Sequence, residues 1–339
     1  MTTPSPADRL AGSLLGLALG DALGFVVEAE PAEVALAYAR DELGTGRAAT
    51  RAHRDFPFGQ YSDDTQLARA LLLGVRDAGG WDPAAFARRV EELFRQGTAV
   101  GAGPGSRAAA VRLQAGVPWR ESGTPAPYAG NGGAMRVAPL GVLLASDPAR
   151  LIDAAADQCR VTHLDPRCAG GAVAIAGATA LAARPGPLEA RRLIRELVEM
   201  IAGVSAEVAQ VVAGVEAWLR LEPEQARARL RDTALDPADG PVWRGISTHV
   251  VPSVAWSLYA ALRSPDDYWS AVCTAIQIGG DTDTMAAMAG GIVGGRVGRD
   301  ALPRALLAQL TDRGTWNAEA LEALACECGA ISIGGPGPR

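Results

Sequence analysis

Lysine is missing from the 339 residues, so all 32 basic side chains are arginines. They are scattered along helix-like stretches such as Ala190–Arg195 and Ala226–Arg231, and the net charge is −6. Sequence-independent nucleic-acid binding needs a concentrated basic footprint, so unmodified DNA or RNA is not expected as a partner. Cysteine is sparse: Cys159, Cys168, Cys273, Cys326 and Cys328 form an odd set without repeated CxxC spacing. That argues against a disulfide framework and a thiolate zinc site, and fits a reducing, cytoplasmic setting. A cationic leader is absent from the opening MTTPSPADRL, which therefore does not read as a secretory signal. A long uninterrupted apolar run is lacking too. The stretch from Ala11 to Val27 carries Asp21 in its middle and is shorter than the roughly 20 residues a membrane span needs. It reads as a buried helix, with no membrane partner. Aromatic residues are only 5%, and alternating strand patterns are scarce.

What remains is helical from end to end. Hydrophobic residues make up 48% of the chain, enough for a sizeable core. Apolar positions recur at three and four in Gln66–Arg76, Pro83–Phe94, Leu188–Met200, Ala206–Leu221 and Ala318–Ala325. Asp82-Pro83, Ser146-Asp147-Pro148 and Ser264-Pro265-Asp266-Asp267 mark helix starts. The glycine-rich stretches Gly101–Gly105, Gly130–Gly133 and Gly279–Gly280 are too short for linkers and read as site loops. The expectation is one compact all-α domain over residues 8–332, with a flexible tail at 333–339.

Two segments concentrate oxygen chemistry. Tyr61-Ser62-Asp63-Asp64-Thr65-Gln66 and Gly279-Gly280-Asp281-Thr282-Asp283-Thr284 each run straight into an apolar helical stretch. Either segment alone reads as an N-cap, but one side chain suffices for a cap and each segment offers several. Four carboxylates converging from two helix starts would repel one another unless a cation lay between them. All-oxygen ligands select Mg²⁺, Mn²⁺ or Ca²⁺ over zinc, and two clusters can hold two ions. Spacing alone does not establish that they converge. Of the other features, Gly12, Gly16, Gly20 and Gly24 form a stripe that permits close helix packing. Asn131, Gly132 and Gly133 can cradle a phosphate with backbone N–H groups or make a tight turn. Tyr128 and His163, taken as residues alone, read as packing and structural.

The pair SDDT and GGDTDT, in that order, resembles the signature of the ADP-ribosylglycohydrolase family. Three more stretches resemble the same family: GSLLGLALGDALGFVVE from Gly12 to Glu28, GNGGAMRVAPLG from Gly130 to Gly141, and Thr162-His163. The resemblance implies an all-α hydrolase that frees ADP-ribose by cleaving the bond at the distal ribose anomeric carbon. It implies a binuclear Mg²⁺ (or Mn²⁺) centre held by Ser62, Asp63, Asp64, Asp281, Asp283 and Thr284. Glu28 would be the general base, with Asp63 and Asp283 as catalytic partners, and Asp21 a structural residue bonding a neighbouring loop. Gly101, Gly103, Gly105, Tyr128, Asn131, Gly132, Gly133, Met135 and His163 would border the substrate. Expected partners are an ADP-ribosylated protein, a nucleic-acid end or a small ADP-ribosyl metabolite. Arginine-specific relatives align an aspartate near Gly101, and no carboxylate stands in Gly101–Ser106. This leans the expectation toward O-linked ADP-ribose. The competing readings are hydrolysis of another N- or O-glycoside, and a non-catalytic ADP-ribose-binding or structural protein of the same fold.

Overall fold

The glycine stripe decides the centre of the molecule. In the computed structural model, which describes residues 3–45, 51–53, 55–231 and 245–331, the stripe lies on the N-terminal helix Pro6–Phe25. There it packs against the helix Thr282–Val297, the most extensive helix pair in the structure. A Cβ on Gly12, Gly16, Gly20 or Gly24 would fall 2.1–2.4 Å from a backbone oxygen of Gly294, Gly290, Ala286 or Thr282, respectively. The descending partner numbers show that the helices run antiparallel with their backbones in contact, an approach only glycine permits. Polar side chains tie the seam. Ser13 Oγ donates to Gly291 O at 2.9 Å, Tyr268 OH to Gly16 O at 2.7 Å and Thr282 Oγ1 to Gly24 O at 2.8 Å. Arg9 donates to Gly295 O and Arg296 O, placing a cation at the negative end of the second helix.

Around this pair pack further helices, among them Pro166–Ala182, Val250–Arg263 and Ala318–Gly329. Pro166–Ala182 is buried from Cys168 to Ala182, whereas the outer helix Ala190–Ala202 buries only Leu193, Ile194, Leu197 and Ile201, a single stripe at the helical period. The expected starts hold: Asp82, Asp147 and Asp267 each cap a helix with the side chain. Ser5 and Asp8 form a reciprocal capping box. Among the described residues there is no strand, only isolated bridges between loops, and the fold is all-α. No described helix is long and apolar enough to cross a membrane. The expected tail at 333–339 lies outside the described residues.

Candidate functional site

The antiparallel pair sets the end of one helix beside the start of the other. Phe25 ends the first helix, so Glu28 does not continue the helical phase of Asp21. The chain turns instead through Ala29, whose φ of 63° is left-handed. Ala29 N–H donates to Gly280 O at 2.8 Å, and Gly280 N–H returns a bond to Glu30 O at 3.4 Å. Gly279 and Gly280 have φ of 75° and 87°, which favours glycine. This clamp carries Glu28 to the second acidic segment.

The two acidic helix starts converge. One group of carboxylate oxygens, from Asp21, Asp64 and Asp283, lies within 4.8 Å of one another. A second group, from Glu28, Asp281 and Asp283, does the same, and the two share Asp283. Thr284 Oγ1 reaches Asp64 Oδ2 at 3.4 Å. Asp21 belongs to the brace: its oxygens accept from Ser62 N at 2.9 Å, Thr65 N at 3.0 Å and Thr65 Oγ1 at 2.6 Å, tying the first helix to the start of Asp63–Ala78. Without a cation, burial and the neighbouring negative charges raise these carboxyls. Asp63 is pushed up to about 8 and Asp21, by burial, to about 6. Asp64 and Asp283 are held well above the usual carboxylate range for the same two reasons, and burial raises Asp281. Asp63 Oδ2 and Asp64 Oδ1 are buried without a hydrogen-bond partner. Orphaned carboxyl oxygens in a crowded acidic cluster fit a hard cation, whose charge would favour their ionised form, and the side chains present suit one.

These groups open onto one cleft of about 480 Å³, mouth included. Glu28, Asp63, Asp64, Asp281, Asp283 and Thr284 line it, as do Gly101, Gly103, Tyr128, Asn131, Gly132, Met135 and His163. Three expected residues do not. Ser62 Oγ accepts from Asp64 N as the cap of its helix and donates to Asp64 Oδ2 at 2.9 Å. Gly105 is pressed against Tyr128 and His163, and Gly133 against Cys159. Capping thus accounts for Ser62 but not for Asp281, whose side chain bonds no N–H of its own helix. Asn131 donates to Asp281 and to Ser253 Oγ, so its amide braces the acidic cluster. The Gly101 loop is fixed to the same helix start. Asp63 N–H donates to Val100 O at 2.7 Å, and the Gln66 amide bonds Val100 N–H at 2.9 Å and Thr98 O at 3.0 Å.

Pro104, Ser106 and Gly130, from the two glycine-rich stretches singled out in the sequence, also line the cleft, as does Thr248, which lies outside every expected stretch. Thr248 arrives because Asn131 N–H donates to its carbonyl at 2.9 Å, a pairing no local pattern announces. Two acids that could replace a carboxylate at Gly101 stay out of the cleft. Asp165 is paired with Arg167 at 2.9 Å, and Glu121 is exposed on the short helix Trp119–Ser122.

Known proteins resemble this chain over most of its length. The profile of a family described as ADP-ribosylglycohydrolase matches residues 2–331. The chain is 30% identical over 315 residues to ADP-ribosyl-[dinitrogen reductase] glycohydrolase of Rhodospirillum rubrum, covering 91% of this chain and 92% of that one. It is 27% identical over 326 residues to human ADP-ribosylhydrolase ARH3, covering 87% of each. A solved structure titled "ADP-ribosylglycohydrolase-related protein complex" superposes with a TM-score of 0.69 at 27% identity, covering 96% of this chain and 99% of the other.

Proposed function

Because the chain belongs to the ADP-ribosylglycohydrolase family, and is on that ground a hydrolase of glycosyl bonds acting on ADP-ribosylated substrates, we propose that it frees ADP-ribose by cleaving the bond at the anomeric carbon of the distal ribose, with two magnesium ions and with O-linked substrates preferred. The observation that carries this reading is the pair of oxygen triads sharing Asp283 on the wall of one cleft. Asp63, Asp64, Asp281, Asp283 and Thr284 would hold the ions, with Ser62 holding Asp64 in place. When bound, the ions polarise oxygens of the substrate and of water. Glu28 sits at the rim of the second triad and takes the proton of the attacking water. The water oxygen bonds to the anomeric carbon, the bond to the leaving oxygen breaks, and the proton passes to that oxygen.

The linkage preference follows from the cleft wall. A guanidine is a poor leaving group and profits from a proton donor, an assistance worth about 10²–10⁴ in rate. The wall contributed by Gly101, Gly103, Pro104 and Ser106 carries no carboxylate. The substrate is an ADP-ribosylated protein, nucleic-acid end or small metabolite, and the sequence has no concentrated basic run to hold unmodified nucleic acid. The five cysteines are free thiols, and we place the protein in the cytoplasm. The test is side-by-side initial rates of ADP-ribose release from a serine-linked peptide and an arginine-linked protein, with magnesium and after chelation. Faster serine-linked release that chelation abolishes is expected. Full activity after chelation refutes the metal centre, and a clear arginine preference refutes the role given to the Gly101 loop.

A further inference from the structure

His163 is buried to 2% exposure yet lines the cleft. A Cβ on Gly105 or Gly130 would lie 2.9 or 3.0 Å from its Nε2, and one on Gly132 at 3.4 Å. Nε2 thus reaches the cleft between three glycines. Its other nitrogen, Nδ1, lies 2.8 Å from Thr162 Oγ1. That hydroxyl is in turn 2.8 Å from a terminal nitrogen of Arg136. A guanidinium has only donors, so Thr162 Oγ1 accepts from Arg136 and keeps one proton to give. Were Nδ1–H to donate to the hydroxyl's second lone pair, the hydroxyl proton would be left with Cys159 O at 3.5 Å, beyond the roughly 3.0 Å reach of a good O–H···O bond, whereas His163 Nδ1 stands at 2.8 Å and can take it. Nδ1 therefore accepts, and the ring proton sits on Nε2.

The geometry points to Arg136 and Thr162 as positioning residues that lock His163 as a neutral ring whose Nε2–H donates a hydrogen bond into the cleft. The inference rests on the reading that the cleft takes ADP-ribose, whose diphosphate and ribose oxygens supply the acceptor. Arg136 is fully buried and is itself held by Gln158, whose side-chain and main-chain oxygens accept at 2.8 and 2.9 Å. Burial lowers the guanidinium to about 10, so it remains a cation at neutral pH. Burial, with this charge one hydroxyl away, presses the His163 ring down to about 3. The other titratable groups against it stay neutral. Tyr128 stacks with ring centroids 5.7 Å apart and is raised by burial, and the thiol of Cys159, which donates to His163 O, is pushed up to about 12. A fixed neutral donor selects for an acceptor oxygen and keeps that selection unchanged across the physiological pH range.

The test is ¹⁵N-histidine NMR on the full chain, with the His163 ring signals assigned by His163→Asn. An Nε2–H ring that does not titrate between pH 5 and 8 is expected. An Nδ1–H ring, or a midpoint near 6.5, overturns the proposal. Thr162→Val should shift the tautomer and raise KM and the ADP-ribose Kd by roughly ten- to a hundredfold, the worth of a hydrogen bond to a charged oxygen, with a smaller change in kcat. Thr162→Ser should restore both the spectrum and the KM, and it keeps the test readable if the valine variant fails to fold. A serine variant that does not restore them, or a folded valine variant with unchanged tautomer and KM, overturns the positioning role. Failure of the wild-type chain to bind ADP-ribose would refute the functional reading, while the tautomer measurement, which needs no ligand, stands apart from it.

Discussion

Replacing Gly20 by alanine adds one methyl group where the N-terminal helix and Thr282–Val297 touch. That Cβ would lie 2.1 Å from Ala286 O and 2.6 Å from Ala286 C, both backbone atoms that no rotamer change can move. Real Cβ atoms do not approach nearer than 3.0 Å, so the helices must part by roughly 1 Å, an overpacking that costs about 1–3 kcal/mol. Alanine returns about 1 kcal/mol in helix propensity, leaving a net loss of up to about 2 kcal/mol. Gly214→Ala is the control. It lies within the helix Ala206–Trp218, and its new Cβ would meet only the Trp218 ring at 3.6 Å, so it should stabilise by about 0.5–1 kcal/mol. The same chemical change is thus expected to act with opposite signs at the two sites. Urea unfolding followed by circular dichroism measures both. Parting the seam also separates Asp21 from Asp283 and should shrink the Tm rise that divalent cations produce. Gly20→Ala as stable as Gly214→Ala, with its cation response intact, would refute the account of how the seam builds the site.

Asp63→Ala and Asp281→Ala are each expected to abolish turnover and lower the Tm rise with Mg²⁺, read by a thermal-shift titration. In chelated protein at neutral pH, Asp64→Asn should raise Tm, because it removes a carboxyl that the cluster holds only by taking up a proton the unfolded chain has released. The pH dependence of the chelated protein follows from the raised carboxyls. With Asp21 near 6 and Asp63 near 8, the folded chain keeps protons that the unfolded chain releases near pH 4. This contribution to stability is complete below about pH 4 and declines as pH rises toward about 8. Tm of chelated protein should fall from pH 5.5 to 8, and Mg²⁺ should restore more at the upper end; a rise without cation would contradict the cluster's electrostatics. Gly101→Asp places a carboxylate at a φ of 75°, its Cβ about 3.8 Å from Asp63 Oδ1, and aspartate tolerates that backbone better than most residues. It should move the ratio of arginine-linked to O-linked rates upward by roughly tenfold or more, and an unchanged ratio in paired assays would count against the proposed linkage logic.

Local chemistry in the sequence determined the helices, their starts at Asp82, Asp147 and Asp267, the close packing implied by the glycine stripe, and the hard-oxygen character of the two acidic segments. Each depends on contacts within a turn or two, or on side-chain type, and both are legible along the chain. Tertiary structure alone decided which residues meet. Glu28 reaches Asp281 and Asp283 through a left-handed turn at Ala29 clamped to Gly280, after the helix that carries Asp21 has already ended. Thr248 enters the cleft wall through a loop pairing with Asn131 that follows no period. Ser62 turns its hydroxyl to its own helix, Gly105 packs behind the lining side chains of Tyr128 and His163, and Gly133 packs against Cys159. The tautomer of His163 hangs on Arg136, brought to Thr162 from another part of the chain. Helix periodicity and capping carry no information about contacts between remote segments; backbone approach and burial in the folded chain set those.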